Sequence, residues 1–394
     1  MQQSPIYLSN PGMVNALGSG RQQIATALWN GDISGMVAEA GWISQRVVPV
    51  GRVHGYLPEV PEHLQIFNSR NNQLLLAAAL QIQPEIEAVI TQFGHHRVGV
   101  VLGTSTSGIA ETEDALRVAR ETGAMPGHYN YAQHEFGSPS RFLSAYFELT
   151  APAYTVSTAC TSSAKAFQSA RNLITHQLCD AVIVGGVDSL CHLTFNGFHA
   201  LESISSELCN PMSANRSGIN IGEGAAIFVM SRLPSPFRLI GIGESSDAWH
   251  ISSPHPQGTG AKQAMQYALQ DAGLSAQDIW YLNLHATATP KNDAMESLAV
   301  TEVFADGVLC SGTKPFTGHT LGAAGATEIA ICALTIQDGK LPQHHWDSCA
   351  DTELPRLNLV TADIEPEAVS TRICMSNSFA FGGSNASVIL GAGQ

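Results

Sequence analysis

Charge is scarce in this chain, and positive charge is scarcer. Only 13% of its 394 residues are charged, and 19 Lys and Arg stand against 33 Asp and Glu, a formal net charge of −14. Such a chain repels phosphates unless its basic residues cluster, so a nucleic-acid partner is not expected. Long hydrophobic runs are missing too: Leu74-Leu75-Leu76-Ala77-Ala78-Ala79-Leu80 is far too short to span a bilayer. The opening residues Met1-Gln2-Gln3-Ser4-Pro5 lack a basic stretch followed by an apolar one, so no signal peptide is expected. None of the eight cysteines (Cys160, Cys179, Cys191, Cys209, Cys310, Cys332, Cys349, Cys374) forms a C-x-x-C pair. That argues against a zinc site and a secreted disulfide framework. The expectation is a soluble cytoplasmic protein with reduced thiols and no membrane partner.

Hydrophobic content of 44% reads as compact and globular, and 36 glycines suit tight turns and close backbone approach. Short apolar runs ending in glycine, such as Arg97–Gly103 and Asp180–Gly186, read as buried strands, as do Trp280–Leu284 and Ala386–Leu390. Helical patterns over Gln73–Ile82, Ser163–His176 and Ala261–Ala272 alternate with them, which predicts an α/β protein. A faint repeat runs through the chain. Cys160 and His319 each open a small-residue segment leading into a helix, 159 positions apart (319 − 160). Gly222-Glu223-Gly224 and Gly382-Gly383-Ser384 each lead into an apolar run, 160 positions apart (382 − 222). Agreement within one residue predicts a duplicated half, with its seam at Leu233-Pro234-Ser235-Pro236.

Three segments set a reactive side chain among small residues: Ser157-Thr158-Ala159-Cys160-Thr161-Ser162-Ser163, Leu284-His285-Ala286-Thr287-Ala288-Thr289-Pro290, and Thr317-Gly318-His319-Thr320-Leu321-Gly322. One thiol and two imidazoles suit a nucleophile whose reaction develops negative charge for the rings to steady. Cys160 falls where a strand-like run meets a helix start, a place expected to lower a thiol's pKa and to bind an oxyanion. Thr287 and Thr289 alternate after His285, so both hydroxyls are expected on one side, able to hold an amide-rich substrate arm. Lys314 and Glu328 are expected to pair and to orient His319. Phe381, followed by Gly382 and Gly383, can swing as a gate or lend its N–H to an oxyanion hole. Gly322-Ala323-Ala324-Gly325 would let its helix approach another closely. His95-His96 reads as surface, and His344-His345, despite Asp347 and Cys349 nearby, as a loop rather than a metal site. Gly103–Gly108 lacks the Lys of a P-loop.

With these residues in this order, the chain resembles the β-ketoacyl-[acyl-carrier-protein] synthases. The likeness covers the Cys160 segment, Arg216 to Ala225, the His285 segment with Asp293 and Glu296, Lys314 to Glu328, and Asn377 to Asn385. It implies a thiolase-like fold of two similar halves in five αβαβα layers. Residues 1–235 would carry the nucleophile and 236–394 the two histidines. It implies that Cys160 takes an acyl chain from an acyl carrier protein, and that His285 and His319 stabilise the enolate formed as malonyl-carrier loses carbon dioxide. Lys314 and Glu328 would support the histidines, and Thr287 and Thr289 would hold the phosphopantetheine arm. The N–H groups of Cys160 and Phe381 would form the oxyanion hole. No metal or resident cofactor is implied, since phosphopantetheine arrives on the carrier. The partner subunit would be a second copy or a Cys-less chain-length factor.

The pattern is broken in places. The usual H-G-T-G-T reads His285-Ala286-Thr287-Ala288-Thr289, and G-F-G-G reads Ala380-Phe381-Gly382-Gly383. Glu202 to Asn210 has no Arg or Lys, so carrier docking is expected elsewhere, with Arg70, Arg117 and Arg120 as candidates. These departures suggest a specialised member of an aryl-polyene or polyketide-like pathway. Two other readings compete. A degradative thiolase would need a second Cys near the C-terminus, but Cys374 precedes the Asn377 turn and the glycine-flanked position that would suit such a Cys holds Phe381; a chain-length factor would lack Cys160.

Overall fold

The protein is described by a computed structural model over residues 4–362, 364 and 369–393. One mixed sheet dominates it. Its strands include β1 (Ile6–Leu8), β2 (Val98–Gly103), β3 (Ala153–Val156), β4 (Ala181–Asp188) and β5 (Gly224–Ser231). They continue with β6 (Phe237–Ser246), β7 (Tyr281–Leu284), β8 (Leu309–Gly312), β9 (Ile373–Phe379) and β10 (Ser384–Ala392). From one edge the order is Asn358–Leu359, β8, β7, β9, β10, β6, β1, β5, β4, β2, β3. In the middle, β1 and β6 pair antiparallel and join the two arms. Each arm has a parallel trio (β2, β3, β4 and β7, β8, β9) followed inward by an antiparallel strand, β5 or β10.

Period-two alternation sorts the strand side chains into layers. Val182 and Val184 of β4 and Phe228 and Met230 of β5 face one core, while Ile183, Ile227 and Val229 face another. In the other arm, Val388 and Leu390 of β10 join that first core, while Leu282, Leu284 and Ile389 face a third. The shared middle core holds α2 (Ser162–Thr175) and α5 (Ala324–Asp338). The outer cores hold α1 (Arg70–Gln81) on one side, and α3 (Thr259–Ala272) with α4 (Pro290–Val303) on the other. Helix, sheet, helix, sheet, helix is the expected five-layer thiolase-like arrangement.

The helices over 70–81, 162–175 and 259–272 begin one to three residues before their sequence-read starts. The α2–α5 contact rests on a missing side chain. A Cβ at Gly325 would lie 2.8 Å from the Ala164 nitrogen, and Ala326 N–H donates to Ser163 Oγ at 2.9 Å. Among the described residues no single helix is long and apolar enough to cross a membrane. One bent pair, α1 with Gln83–Phe93, passes by length and composition, but Leu74, Leu75 and Leu76 of α1 are buried in the outer core.

Candidate active site

Parallel strands deliver their following loops to one side, where α/β folds gather functional groups. His285 follows β7, Lys314 follows β8, and the Cys160 loop follows β3. His319 comes five residues before Ala324, the first residue of the buried α5. The two middle helices, α2 and α5, thus begin side by side, one carrying the thiol loop and the other a histidine loop.

The three reactive groups meet. His319 Nε2 lies 3.0 Å from Cys160 Sγ. The two imidazoles stand edge to face, 84° apart with centroids 5.4 Å from each other. One ligating atom from each of Cys160, His285 and His319 falls within 4.8 Å of the others. All three are buried.

Lys314 sets the proton on His285. Its Nζ donates to the Glu328 carboxylate, to the His285 carbonyl, and to His285 Nδ1 at 3.3 Å. Lysine cannot accept, so Nδ1 is bare and the ring proton sits on Nε2. The pair therefore orients His285 rather than His319, the ring expected from sequence spacing. His319 Nδ1 is buried with no hydrogen-bond partner, and its backbone N–H donates to the Asn220 carbonyl at 2.7 Å. Burial, then the charge of Lys314, holds both imidazoles well below the usual histidine range, so both rings are neutral.

The thiol corrects a second expectation. Burial pushes Cys160 up to about 12, and the nearby Lys314 charge only partly opposes this. Proximity to a helix start does not lower it, because desolvation of a sulfur anion outweighs partial charges two residues away.

Two carboxylates that spacing did not assign hold the His285 loop. They lie three residues apart on α4, so they share a helix face. Glu296 accepts from the backbone N–H groups of His285 and Ala286, each at 2.7 Å. Asp293 accepts from Ala288 N–H at 3.2 Å and Met212 N–H at 2.8 Å. Burial pushes Glu296 up to about 7 and Asp293 up to about 6. Between these anchors Ala286 and Ala288, at the expected glycine positions, take φ of 39° and 62°. A third carboxylate, Asp188, is fully buried at the end of β4. Its Oδ1 accepts from the Thr104 and Thr106 hydroxyls and from the N–H groups of Ser105 and Thr106, and its Oδ2 accepts from Ala323 N–H at 3.1 Å. An acid closing an apolar strand run was the one available signal for it.

Cys160, His285, His319, Thr287, Thr289 and Phe381 all line one cavity of about 310 Å³. The two threonine hydroxyls are 3.0 Å apart, on one side as the alternation implied. Phe381 is half-buried against Phe198, and Gly382 behind it has φ 84°. Cys374 is buried in β9 and does not line the cavity, so the second thiol of a thiolase is not in place. Of the docking candidates, Arg70 forms an ion pair with the buried Glu223 at 2.6 Å. Arg117 pairs with Asp114, and Arg120 is exposed. His344 holds two backbone groups, accepting from Gly312 N–H at 3.0 Å and donating to the Pro211 carbonyl at 2.9 Å.

A buried thiol touching one neutral imidazole and facing another, in a doubled five-layer fold, defines a protein of thiolase-like architecture. The comparisons narrow that class. Residues 62–235 match the family description "Beta-ketoacyl synthase, N-terminal domain" and residues 237–346 match "Beta-ketoacyl synthase, C-terminal domain". A putative mitochondrial 3-oxoacyl-[acyl-carrier-protein] synthase of Schizosaccharomyces pombe is 31% identical, over 97% of this chain and 98% of its own. Nodulation protein E of Rhizobium meliloti is 32% identical over 74% of each chain. Among solved structures, the ketosynthase ApeO in complex with its chain length factor ApeC, from Xenorhabdus doucetiae, superposes with a TM-score of 0.94 at 44% identity, covering 99% of this chain and 98% of that one. A β-ketoacyl synthase from Burkholderia phymatum gives 0.85 at 25% identity over the whole of both chains. The chain belongs to the β-ketoacyl synthase family. It is an acyl-transferring condensing enzyme of fatty acid or polyketide-type chain elongation.

Proposed function

We propose that this site carries out decarboxylative Claisen condensation with Cys160 as nucleophile. The observation that carries the reading is the fixed tautomer of His285 beside a Cys160–His319 contact of 3.0 Å. Cys160 Sγ attacks the thioester carbonyl of an acyl-carrier, and the N–H groups of Cys160 and Phe381 hold the oxyanion. The carrier thiolate leaves and takes up the cysteine's proton. Malonyl-carrier then enters, with its pantetheine arm against Thr287 and Thr289. Its carboxylate departs as carbon dioxide, and the electron pair of the broken bond becomes an enolate. The enolate oxygen accepts from Nε2–H of both neutral imidazoles in a water-poor pocket. Its carbon attacks the acyl-Cys160 carbonyl, the carbon–sulfur bond breaks, and the thiolate takes up a proton from solvent. No metal or resident cofactor enters these steps.

We place this chemistry on two duplicated halves, 1–235 and 236–394. The mirrored strand order supports that division, as does the boundary at 235/237 between the two family matches. Eight free thiols, seven of them buried, fit a reducing cytoplasmic setting. The 44% identity to a ketosynthase solved with a chain length factor supports a specialised, aryl-polyene or polyketide-like member, working with a carrier protein and with a Cys-less partner rather than a second copy.

The test follows the two half-reactions by intact mass. The wild type forms an acyl-Cys160 adduct, then a 3-oxoacyl-carrier. His285→Ala still acylates but loses malonyl decarboxylation by about 100-fold or more, and Cys160→Ala gives no adduct. Hydrolysis of the acyl-carrier without chain extension would sink the reading.

A further inference from the structure

We propose that Lys291 binds the phosphodiester of the carrier's phosphopantetheine arm at the mouth of the catalytic cavity. The inference rests on the reading above, in which such an arm delivers substrate to Cys160.

Exposure traces the route. His285 at the cavity floor is 1% exposed and Thr287 7%, Thr289 is half-buried, and Lys291 is exposed. All four line the same cavity. Three of these residues, Thr287, Thr289 and Lys291, alternate along the chain away from the histidine. An arm whose thioester sits at the sulfur and whose amides meet the two threonines therefore brings its outer end, beyond those amides, to Lys291. On phosphopantetheine that end carries the pantoyl hydroxyl and then the phosphodiester, the arm's one anion.

Electrostatics favour the same assignment. Among the described residues, Lys291 is the one formally cationic side chain lining this cavity, and the acid in the lining is Glu202. Among the described residues Lys291 makes no ion pair; its Nζ donates to the Ser253 hydroxyl at 3.0 Å, leaving hydrogens for a ligand. Two other lysines are committed, Lys314 to Glu328 and Lys262 to Glu302 at 2.5 Å. Lys291 also stands in the first turn of α4, a 14-residue helix whose N-terminal end adds positive potential. On a chain of net charge −14, one unpaired cation at the entrance supplies the local attraction an anionic arm needs.

The experiment compares malonate carried on pantetheine, on phosphopantetheine and on a carrier protein. The wild type prefers the phosphorylated small thioester. In Lys291→Ala the ratio of kcat/KM for phosphopantetheine to pantetheine thioester falls about tenfold, and KM for malonyl-carrier rises by a similar factor. Lys291→Arg keeps the preference, and Lys262→Ala serves as a charge-matched control that leaves the ratio in place. An unchanged ratio in Lys291→Ala overturns the proposal. So does a rise in carrier KM with the ratio intact, which would put Lys291 against the carrier's protein surface. A wild type that condenses none of the three thioesters overturns the condensing reading itself, a distinct result.

Discussion

Lys314 has committed its three ammonium hydrogens before any substrate arrives. Two go to His285 and one to Glu328, and both ends of the ion pair are about 3% exposed. Removing one partner strands the other. Lys314→Met should cost about 3 kcal/mol, the low end for breaking a buried pair, because burial already raises Glu328 to about 7 and lets it take a proton. Adding Glu328→Leu should restore most of the stability in chemical denaturation. Condensation should stay lost in both variants, since His285 Nδ1 then has no donor to keep its proton on Nε2. Recovered activity in the double variant would mean that the lysine is merely structural. The sulfur makes its own prediction. A thiol raised to about 12 is protonated at neutral pH, so its thiolate fraction grows about tenfold per pH unit below that value. Inactivation by iodoacetamide should therefore climb from about pH 7 to about pH 9 without levelling off. A plateau near neutrality would show a preformed thiolate. The reactive residues were readable because each stands in a run of small neighbours. The direction of the thiol's shift was not, because proximity to a helix start is visible in sequence and full desolvation is not.

At the scale of elements, the site depends on two helices starting together. Gly325 at the head of α5 faces the backbone of Ala164 in α2. Gly325→Ala places a methyl against main chain that cannot swing aside, with an expected cost of about 1–3 kcal/mol. The damage should exceed what stability alone explains, because the same two helices carry the Cys160 and His319 loops. Condensation should fall at temperatures where circular dichroism reports a folded protein, while slow alkylation of Cys160 persists. Full activity in that folded variant would disprove the coupling. The small-residue stripe announced this contact in the sequence. The latching of the 285–288 loop by Glu296 and Asp293 was not announced, although both residues fell within the family likeness. A carboxylate accepting backbone N–H groups from a loop it follows leaves no periodicity, only an i, i+3 acid pair that usually marks a solvated face. The three N–H bonds from the loop help explain how Ala286 and Ala288 sit at positive φ, where an L-residue costs about 1–2 kcal/mol.

At the scale of the whole molecule, the sheet ends on a strand that has one neighbour. Among the described residues β3 pairs with β2 alone, and all four of its residues are only half-buried, unlike the fully buried strands beside it. The carbonyls of Pro152 and Val156 accept from Val100 and Thr104 N–H, at 3.0 Å and 3.3 Å. In a parallel ladder alternate residues face the neighbour, so Thr155 presents its N–H and C=O outward. An open edge of this kind invites another strand. The alternation of helix and strand made the α/β class readable from sequence, but not which strand ends the sheet, because that depends on long-range pairing. The edge is therefore where a partner subunit should add. Proline at an edge position keeps the strand and removes one donor. Thr155→Pro should leave thermal unfolding nearly unchanged in the isolated chain and should abolish co-purification with a chain-length-factor partner, or dissociate a self-dimer in sedimentation equilibrium. A variant that assembles like the wild type would show that the partner docks on another face.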